Sequence, residues 1–146
     1  MKTILFVCTG NTCRSPMAEA IFNQKARRAG LDYAAESAGV SVWVSEPASR
    51  YACEAVSRRG GDLTNHLSRP VTEDMLRRCE CALCMTAGHA RMLISRFPQF
   101  EDKIALLARS DIHDPFGGDA EEYERTAQEI EEAADALIER IKKNDA

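Results

Sequence analysis

Near the start of the chain Cys8 and Cys13 stand five residues apart, with Arg14 and Ser15 directly behind them. A thiolate is a strong nucleophile, and a guanidinium is a planar fork that matches two oxygens of a phosphate. Between the cysteines run Thr9, Gly10, Asn11 and Thr12, and Pro16 closes the stretch. A strand-length apolar run precedes it and a helical pattern follows. On a turn of that kind, successive backbone N–H groups from Thr9 to Arg14 can point into one concavity. The helix start adds unpaired donors and about half a positive charge, a place for a dianion. Gly10 permits backbone conformations closed to other residues. A phosphate held there meets the Cys8 sulfur at the base of the loop, and the field that holds the anion also favours the thiolate. Ser15 offers a hydroxyl to that sulfur. Asn11 has a side chain able to bond the loop's own backbone and keep it preformed. The anion-binding set is therefore Thr9, Gly10, Asn11, Thr12, Cys13, Arg14 and Ser15. A lone cysteine is commonly a small buried hydrophobe. Its placement five residues before Arg14, between a strand and a capped helix, sets that reading aside.

A cysteine that displaces a leaving group needs a partner to protonate it. Asp114 stands on a stretch with Pro115, Gly117 and Gly118, able to hang over the mouth of the first loop. Asp-Pro is also a common turn former. Asp111, His113 and Asp119 are the alternative acids nearby. His66 reads as a structural hydrogen-bond partner, His89 and His113 as surface residues.

The elements that must position these groups alternate. Lys2–Cys8 reads as a strand, with Ser15 as N-cap and Pro16 at the first position of a helix that ends near Gly30. Tyr33–Ser37 is a weaker strand. Pro47 to Arg59 reads as a second helix, stopped by Gly60-Gly61, and Thr72 starts a short third one. Cys81–Met85 is a continuous apolar run, a buried parallel strand. Ala87–Phe97 is helical up to Pro98, Lys103–Leu107 is a last strand, and Ser110–Ala120 is a loop. The final helix repeats Tyr123, Ala127, Ile130, Ala134, Leu137 and Ile141 along one face. Alternating strands and helices imply an α/β fold, a parallel sheet covered on both faces. Sites in such sheets lie at the carboxyl ends of strands, where Cys8 falls.

The 146 residues suffice for one domain spanning 1–146, with an ordinary balance of 45% hydrophobic and 29% charged residues. No apolar run approaches a membrane span. The short apolar start reads as a strand and not a signal peptide, which implies a cytoplasmic protein whose six cysteines are reduced thiols. The charge is −4 overall, divided between +4 over residues 1–110 and −8 over residues 111–146. The acidic end reads as the solvated face of a helix. No basic and aromatic stripe points to nucleic acid. Cys81-x-x-Cys84 alone is weak evidence for a metal, and in a strand the two side chains point to opposite faces. No metal or other cofactor is called for.

The run Cys8-Thr9-Gly10-Asn11-Thr12-Cys13-Arg14-Ser15-Pro16 resembles the signature loop of the low-molecular-weight protein tyrosine phosphatase family. Ser37-Ala38-Gly39, His66, Arg69, Met85-Thr86 and Asp114-Pro115-Phe116 fall in family order, so the resemblance spans nearly the whole chain. It implies a doubly wound, flavodoxin-like fold with a four-stranded parallel sheet. It also implies metal-free hydrolysis of phosphorylated proteins through a phosphocysteine, with Cys8 as nucleophile, Arg14 as phosphate ligand and Asp114 as general acid. Cys13 lies close enough in the loop to rescue an oxidised Cys8 as a disulfide, a role the resemblance supports, although a small packed side chain is the plainer alternative. Thr12 and Phe116-Gly117-Gly118 look most like the bacterial protein arginine phosphatase branch, where tyrosine-directed members carry a larger apolar residue and further aromatics. Thr12 then sets specificity, and phosphoarginine is the expected substrate, with phosphotyrosine the alternative. A thiol-based arsenate reductase shares the fold but relays electrons through a cysteine pair after the central strand, absent here. A non-enzymatic anion-binding or redox module is the remaining reading. Trp43 and Tyr51 either line the mouth or pack a helix.

Overall fold

A computed structural model describes residues 1–145. Four parallel strands, β1 (Lys2–Cys8), β2 (Tyr33–Gly39), β3 (Cys81–Cys84) and β4 (Ile104–Leu106), form one sheet in the order β2-β1-β3-β4. The helices are α1 (Arg14–Arg28), α2 (Arg50–Arg58), α3 (Glu73–Arg78), α4 (Ala87–Arg96) and α5 (Ala120–Asp145), with a 3₁₀ turn at Pro98–Lys103. This is the parallel sheet flanked by helices that the alternation of elements implies, in the doubly wound, flavodoxin-like form that the resemblance implies.

β1 is central because its residues are apolar on both faces. Ile4 and Phe6 pack under α1, α2 and α5, where the rings of Phe6 and Phe22 meet edge-on at 5.8 Å. Leu5 and Val7 pack with Leu76 of α3 and Leu93 of α4 on the other face. Each buried aliphatic or aromatic side chain contributes about 1.5–3 kcal/mol of transfer free energy, so both layers hold the sheet. Cys8 is then delivered to the carboxyl end of the central strand, opposite Gly39 of β2. Cys81 packs with the first layer and Cys84 with the second, on opposite faces as the strand period requires.

α5 carries the apolar stripe read from its sequence, and its acidic side is partly engaged. Arg59 reaches Glu124 at 2.7 Å and Glu131 at 3.4 Å, and Lys25 of α1 reaches Asp135 at 2.7 Å. α1 ends as expected, with Gly30 at φ 69° just past Ala29.

Several strand and helix ends differ from the sequence reading by one or two residues, with β2 running on to Gly39, and two helix starts differ for a physical reason. α1 begins at Arg14 with Cys13 as its N-cap, so Ser15 is inside the helix and caps nothing. Its hydroxyl is taken by other partners, described below. α2 starts at Arg50 and not at Pro47, because Pro47 is paired in a bridge to Leu67.

Candidate active site

The loop from Thr9 to Cys13 lies between β1 and α1 and lines a cavity of about 230 Å³ together with Cys8, Arg14, Asp114 and Phe116. The three residues expected to do chemistry therefore face one space. Arg14 is buried. Its Nη1 donates to the Ile112 carbonyl at 3.1 Å, and its Nη2 lies 3.5 Å from Asp114 Oδ2. Those two bonds hold the guanidinium edge toward the acid. Asp114 is half exposed, and its other oxygen accepts from the Phe116 N–H at 3.1 Å.

The loop is fixed from every side. Cys8 and Thr9 carbonyls accept from Val40 and Ser41, at 2.9 and 3.0 Å, and the Thr12 carbonyl accepts from Ser49 at 2.9 Å. His66 Nε2 donates to the Asn11 carbonyl at 2.7 Å, the structural role read for it. Asn11 itself sits at φ 57°, a left-handed conformation that asparagine tolerates better than most residues. Its amide donates to Ser15 Oγ at 2.8 Å and to Ser37 Oγ at 3.0 Å, and its Oδ1 accepts from the Arg69 N–H at 3.1 Å. The side chain thus braces the loop against its neighbours and not against the loop's own backbone, a correction to the sequence reading. Gly39 is the counterpart of this close approach. A Cβ there would lie 2.5 Å from the Thr9 carbonyl oxygen and 3.1 Å from the Asn11 nitrogen.

Ser15 is fully buried beneath the nucleophile, sharing a 2.8 Å hydrogen bond with Cys8 Sγ. It does not line the cavity, so of the expected anion-binding set Thr9 to Arg14 face the space and Ser15 faces the sulfur. Burial pushes the Cys8 thiol up. The Ser15 hydroxyl, the backbone at Ser15, the Arg14 guanidinium and the backbone at Asn11 pull it down, in that order. The lowering groups are those read from the sequence, yet burial outweighs them. The sequence could not show this because it carries no measure of how deeply the sulfur sits.

Cys13 lines the cavity, and its sulfur meets Tyr123 Oη at 3.2 Å, Ser49 Oγ at 3.5 Å and Thr12 Oγ1 at 3.7 Å. Tyr51 stacks beside Tyr123 at 5.8 Å and so packs a helix, whereas Trp43 stands in solvent beside the mouth. His89 is a residue the sequence reading misplaced. It is buried at the first turn of α4, shares a 2.7 Å hydrogen bond with Thr9 Oγ1, and leaves Nδ1 without a partner. Burial, aided by Arg14, pushes its pKa down to about 4 against the pull of Asp114 and Asp111. The visible signal was Thr86 three residues earlier, whose hydroxyl accepts from the His89 N–H at 3.1 Å and fixes the start of α4. Asp111, an alternative acid, is occupied there too, accepting from Ala87 N–H at 2.9 Å. His113 is exposed and lies 3.7 Å from Glu122. Among the described residues no three His, Cys, Asp or Glu side chains converge as a metal site would need.

A cysteine at a strand end, a cavity of about 230 Å³ lined by the strand-to-helix loop, a buried arginine and a facing carboxylate fit a cysteine-based phosphatase. The sequence pattern of the low molecular weight phosphotyrosine protein phosphatase family matches residues 3–146, and the chain belongs to that family. It is similar to a protein-arginine-phosphatase of Bacillus subtilis, 40% identical, with 97% of each chain covered. Among solved structures it resembles a low molecular weight protein tyrosine phosphatase from T. tengcongensis, 40% identical at a TM-score of 0.92 over 96% of this chain and 99% of that one. It also resembles a YwlE arginine phosphatase mutant with a phosphorylated active-site serine, 38% identical at a TM-score of 0.92 over 97% of this chain and 96% of that one. The protein is a hydrolase acting on phosphorylated proteins.

Proposed function

We propose that the chain hydrolyses protein phosphoarginine, with Cys8 as nucleophile, Arg14 as phosphate ligand and Asp114 as general acid and then base. The observation that carries the substrate assignment is Thr12, whose place in the cavity-lining loop puts a hydroxyl-bearing residue beside Cys8. The backbone of Thr9 to Arg14 and the Arg14 guanidinium hold the phosphoryl oxygens. The Cys8 sulfur attacks phosphorus in line, the P–N bond to the arginine breaks, and Asp114 gives its proton to the departing guanidine nitrogen. The Asp114 carboxylate then takes a proton from water, whose oxygen attacks the phosphocysteine and releases phosphate with the thiolate restored. Ser15 stabilises that departing thiolate from beneath. We place the reaction in the cytoplasm, where the thiol stays reduced.

Phosphoarginine presents a planar guanidinium whose N–H groups need acceptors when desolvated, each one left unpaired costing ~1–3 kcal/mol. A threonine hydroxyl accepts such a bond or holds the attacking water. An isoleucine-sized wall does neither, and favours an apolar ring by ~0.8 kcal/mol per buried CH₂. Phosphotyrosine remains the second reading, favoured by the exposed Phe116 ring at the mouth. The arsenate reductase reading is disfavoured by Cys84, the thiol at the end of the central strands. It is fully buried and pushed up to about 12 by burial. The test is kcat/KM for phosphoarginine and phosphotyrosine peptides in the wild type and in Thr12→Ile. The expected result is a wild type better on phosphoarginine and a variant shifted toward phosphotyrosine by ~10-fold, or about 1.4 kcal/mol of transition-state binding. An unchanged ratio overturns the assignment.

Cys13 is the proposed redox partner. Peroxide oxidises Cys8 to the sulfenic acid. The Cys13 thiolate then attacks that sulfur and hydroxide leaves as water, giving a disulfide that an external thiol reduces. Cys13 must first release Tyr123 and Ser49. In Cys13→Ser, peroxide inactivation should no longer be reversed by thiol, and full recovery there rejects the role.

A further inference from the structure

Of the seven large apolar side chains exposed among the described residues, three line one groove beside the mouth: Trp43, Val44 and Phe116. A soluble surface that clusters such groups marks a contact site. Trp43 is the extreme case, 92% exposed. This second groove, of about 300 Å³, shares Gly10, Thr12 and Phe116 with the phosphate cavity. A polypeptide whose phosphorylated side chain enters the first cavity must lay its neighbouring residues over the second.

The chemistry of the groove is mixed in a particular way. Trp43, Val42, Val44 and Phe116 give the groove an apolar lining, and Ser41 and Ser68 add hydroxyls. The only charged side chain lining it is Glu46, whose carboxylate has no hydrogen-bond or ion-pair partner among the described residues. The backbone beneath that carboxylate is fixed. Glu46 N–H donates to Ser68 Oγ at 2.9 Å, and its carbonyl accepts from Ser68 N–H at 2.8 Å. Pro47 and Leu67 continue the pairing as a bridge. The groove therefore offers an exposed aromatic side chain and a carboxylate on a fixed backbone.

We propose that this groove is a specificity subsite for a basic side chain, arginine before lysine, within two residues of the phosphorylated residue of a protein substrate. The inference rests on the protein phosphatase reading above and deepens it. Guanidinium stacks on an indole face more readily than ammonium and forks onto a carboxylate. An apolar occupant would cover the Glu46 carboxylate without pairing it, and an acidic one would be repelled. A surface ion pair and a cation–π contact together amount to ~10-fold in kcat/KM.

The experiment uses two peptide series, one with phosphoarginine and one with phosphotyrosine. Each carries Arg, Leu or Glu in turn at the two positions on either side of the phosphorylated residue. The expected result is one position at which Arg exceeds Glu by ~10-fold in kcat/KM and Leu falls between them. Glu46→Lys should reverse the order of Arg and Glu, and Trp43→Ala should shrink the advantage of Arg over Leu. Turnover of para-nitrophenyl phosphate, which has no neighbouring residues, should be the same in all three proteins. Equal rates at every position, a preference for Leu, or an Arg preference that survives Glu46→Lys overturns the subsite while leaving the phosphatase reading intact. Failure of both peptide series with the phenyl ester still hydrolysed overturns the protein-substrate reading and the subsite with it.

Discussion

Cys8 and Asp114 face one cavity, and the chain around them is held in opposite ways. The nucleophile's loop takes hydrogen bonds from the end of β2, the N-cap of α2, the 66–69 segment and the first turn of α4. The segment of the proposed acid has fewer anchors among the described residues, with Asp114 against Arg14 and His113 against Glu122. The buried Ile112 donates to the Met85 carbonyl at 2.9 Å and accepts from Arg14, and beyond it Asp114 to Gly118 bond mainly to one another. The contrast separates two tasks. Stabilising charge in a transition state needs donors that do not reorganise, which fits a loop braced by several elements. Delivering a proton to leaving groups of different shape tolerates a looser carrier, which fits the half-exposed turn that carries Asp114.

That contrast can be broken at several points. Cys8→Ser should take turnover below detection while inorganic phosphate still binds, because the loop and Arg14 remain, and calorimetric titration of the variant reads this directly. Normal hydrolysis by that protein would end the phosphocysteine mechanism. Asp114→Asn should slow phosphoryl transfer by ~10²–10⁴-fold, least for esters with good leaving groups, which need no proton. Equal losses on good and poor leaving groups would remove Asp114 from the acid's role. Neither change should move the denaturation midpoint much. Asn11→Ala should do the reverse of Asp114→Asn. It strips three side-chain bonds and leaves alanine in a left-handed conformation, so stability should fall by ~2–4 kcal/mol in urea unfolding. A stability unchanged by this variant would mean that the loop is not held from outside.

Two finer tests concern protons. Ser15→Ala removes the largest of the lowering contributions to the Cys8 thiol, so the thiol should rise further. Iodoacetate alkylation at neutral pH should then slow by ~10-fold, and an unchanged pH profile of alkylation would exclude the Ser15 bond as a thiolate stabiliser. His89 titrates near 4 in the folded protein, below its ordinary 6.5. The unfolded chain therefore binds the extra proton between those values, and stability should rise as pH increases through that window, by about 2–3 kcal/mol. Urea unfolding at pH 4.5 and 7 should show a smaller difference in His89→Asn than in the wild type.

Which residues form the loop was legible from spacing alone, since Cys8 to Ser15 are contiguous and lie between a strand and a helix. Where their side chains turn was not. Ser15 is an exception in part, since its hydroxyl bonds the Cys8 sulfur as read although it caps no helix. Asn11 is bound by residues 4, 26 and 58 positions away, and Cys13 by one 110 away. Local pattern carries no information on such pairs. His89 read as a surface residue because the apolar period of α4 is short, and its burial follows from packing against Thr9. Four strands and five helices were legible because β1 and β3 are continuous apolar runs and the apolar stripe of α5 is unbroken.

The bond from Arg14 to the Ile112 carbonyl has a consequence in time as well as in space. A ribosome releases Cys8, Arg14 and the whole loop well before the backbone acceptor that orients the guanidinium, which is made about a hundred residues later, and Asp114 follows two residues after that. The core face under α1 stays open later still, until α5 emerges to cover Phe22 and Met17. A nascent or truncated chain thus carries the nucleophile without its oriented arginine or its acid. Catalytic competence becomes a property of the completed chain, and phosphatase activity can serve as a reporter of finished synthesis and folding.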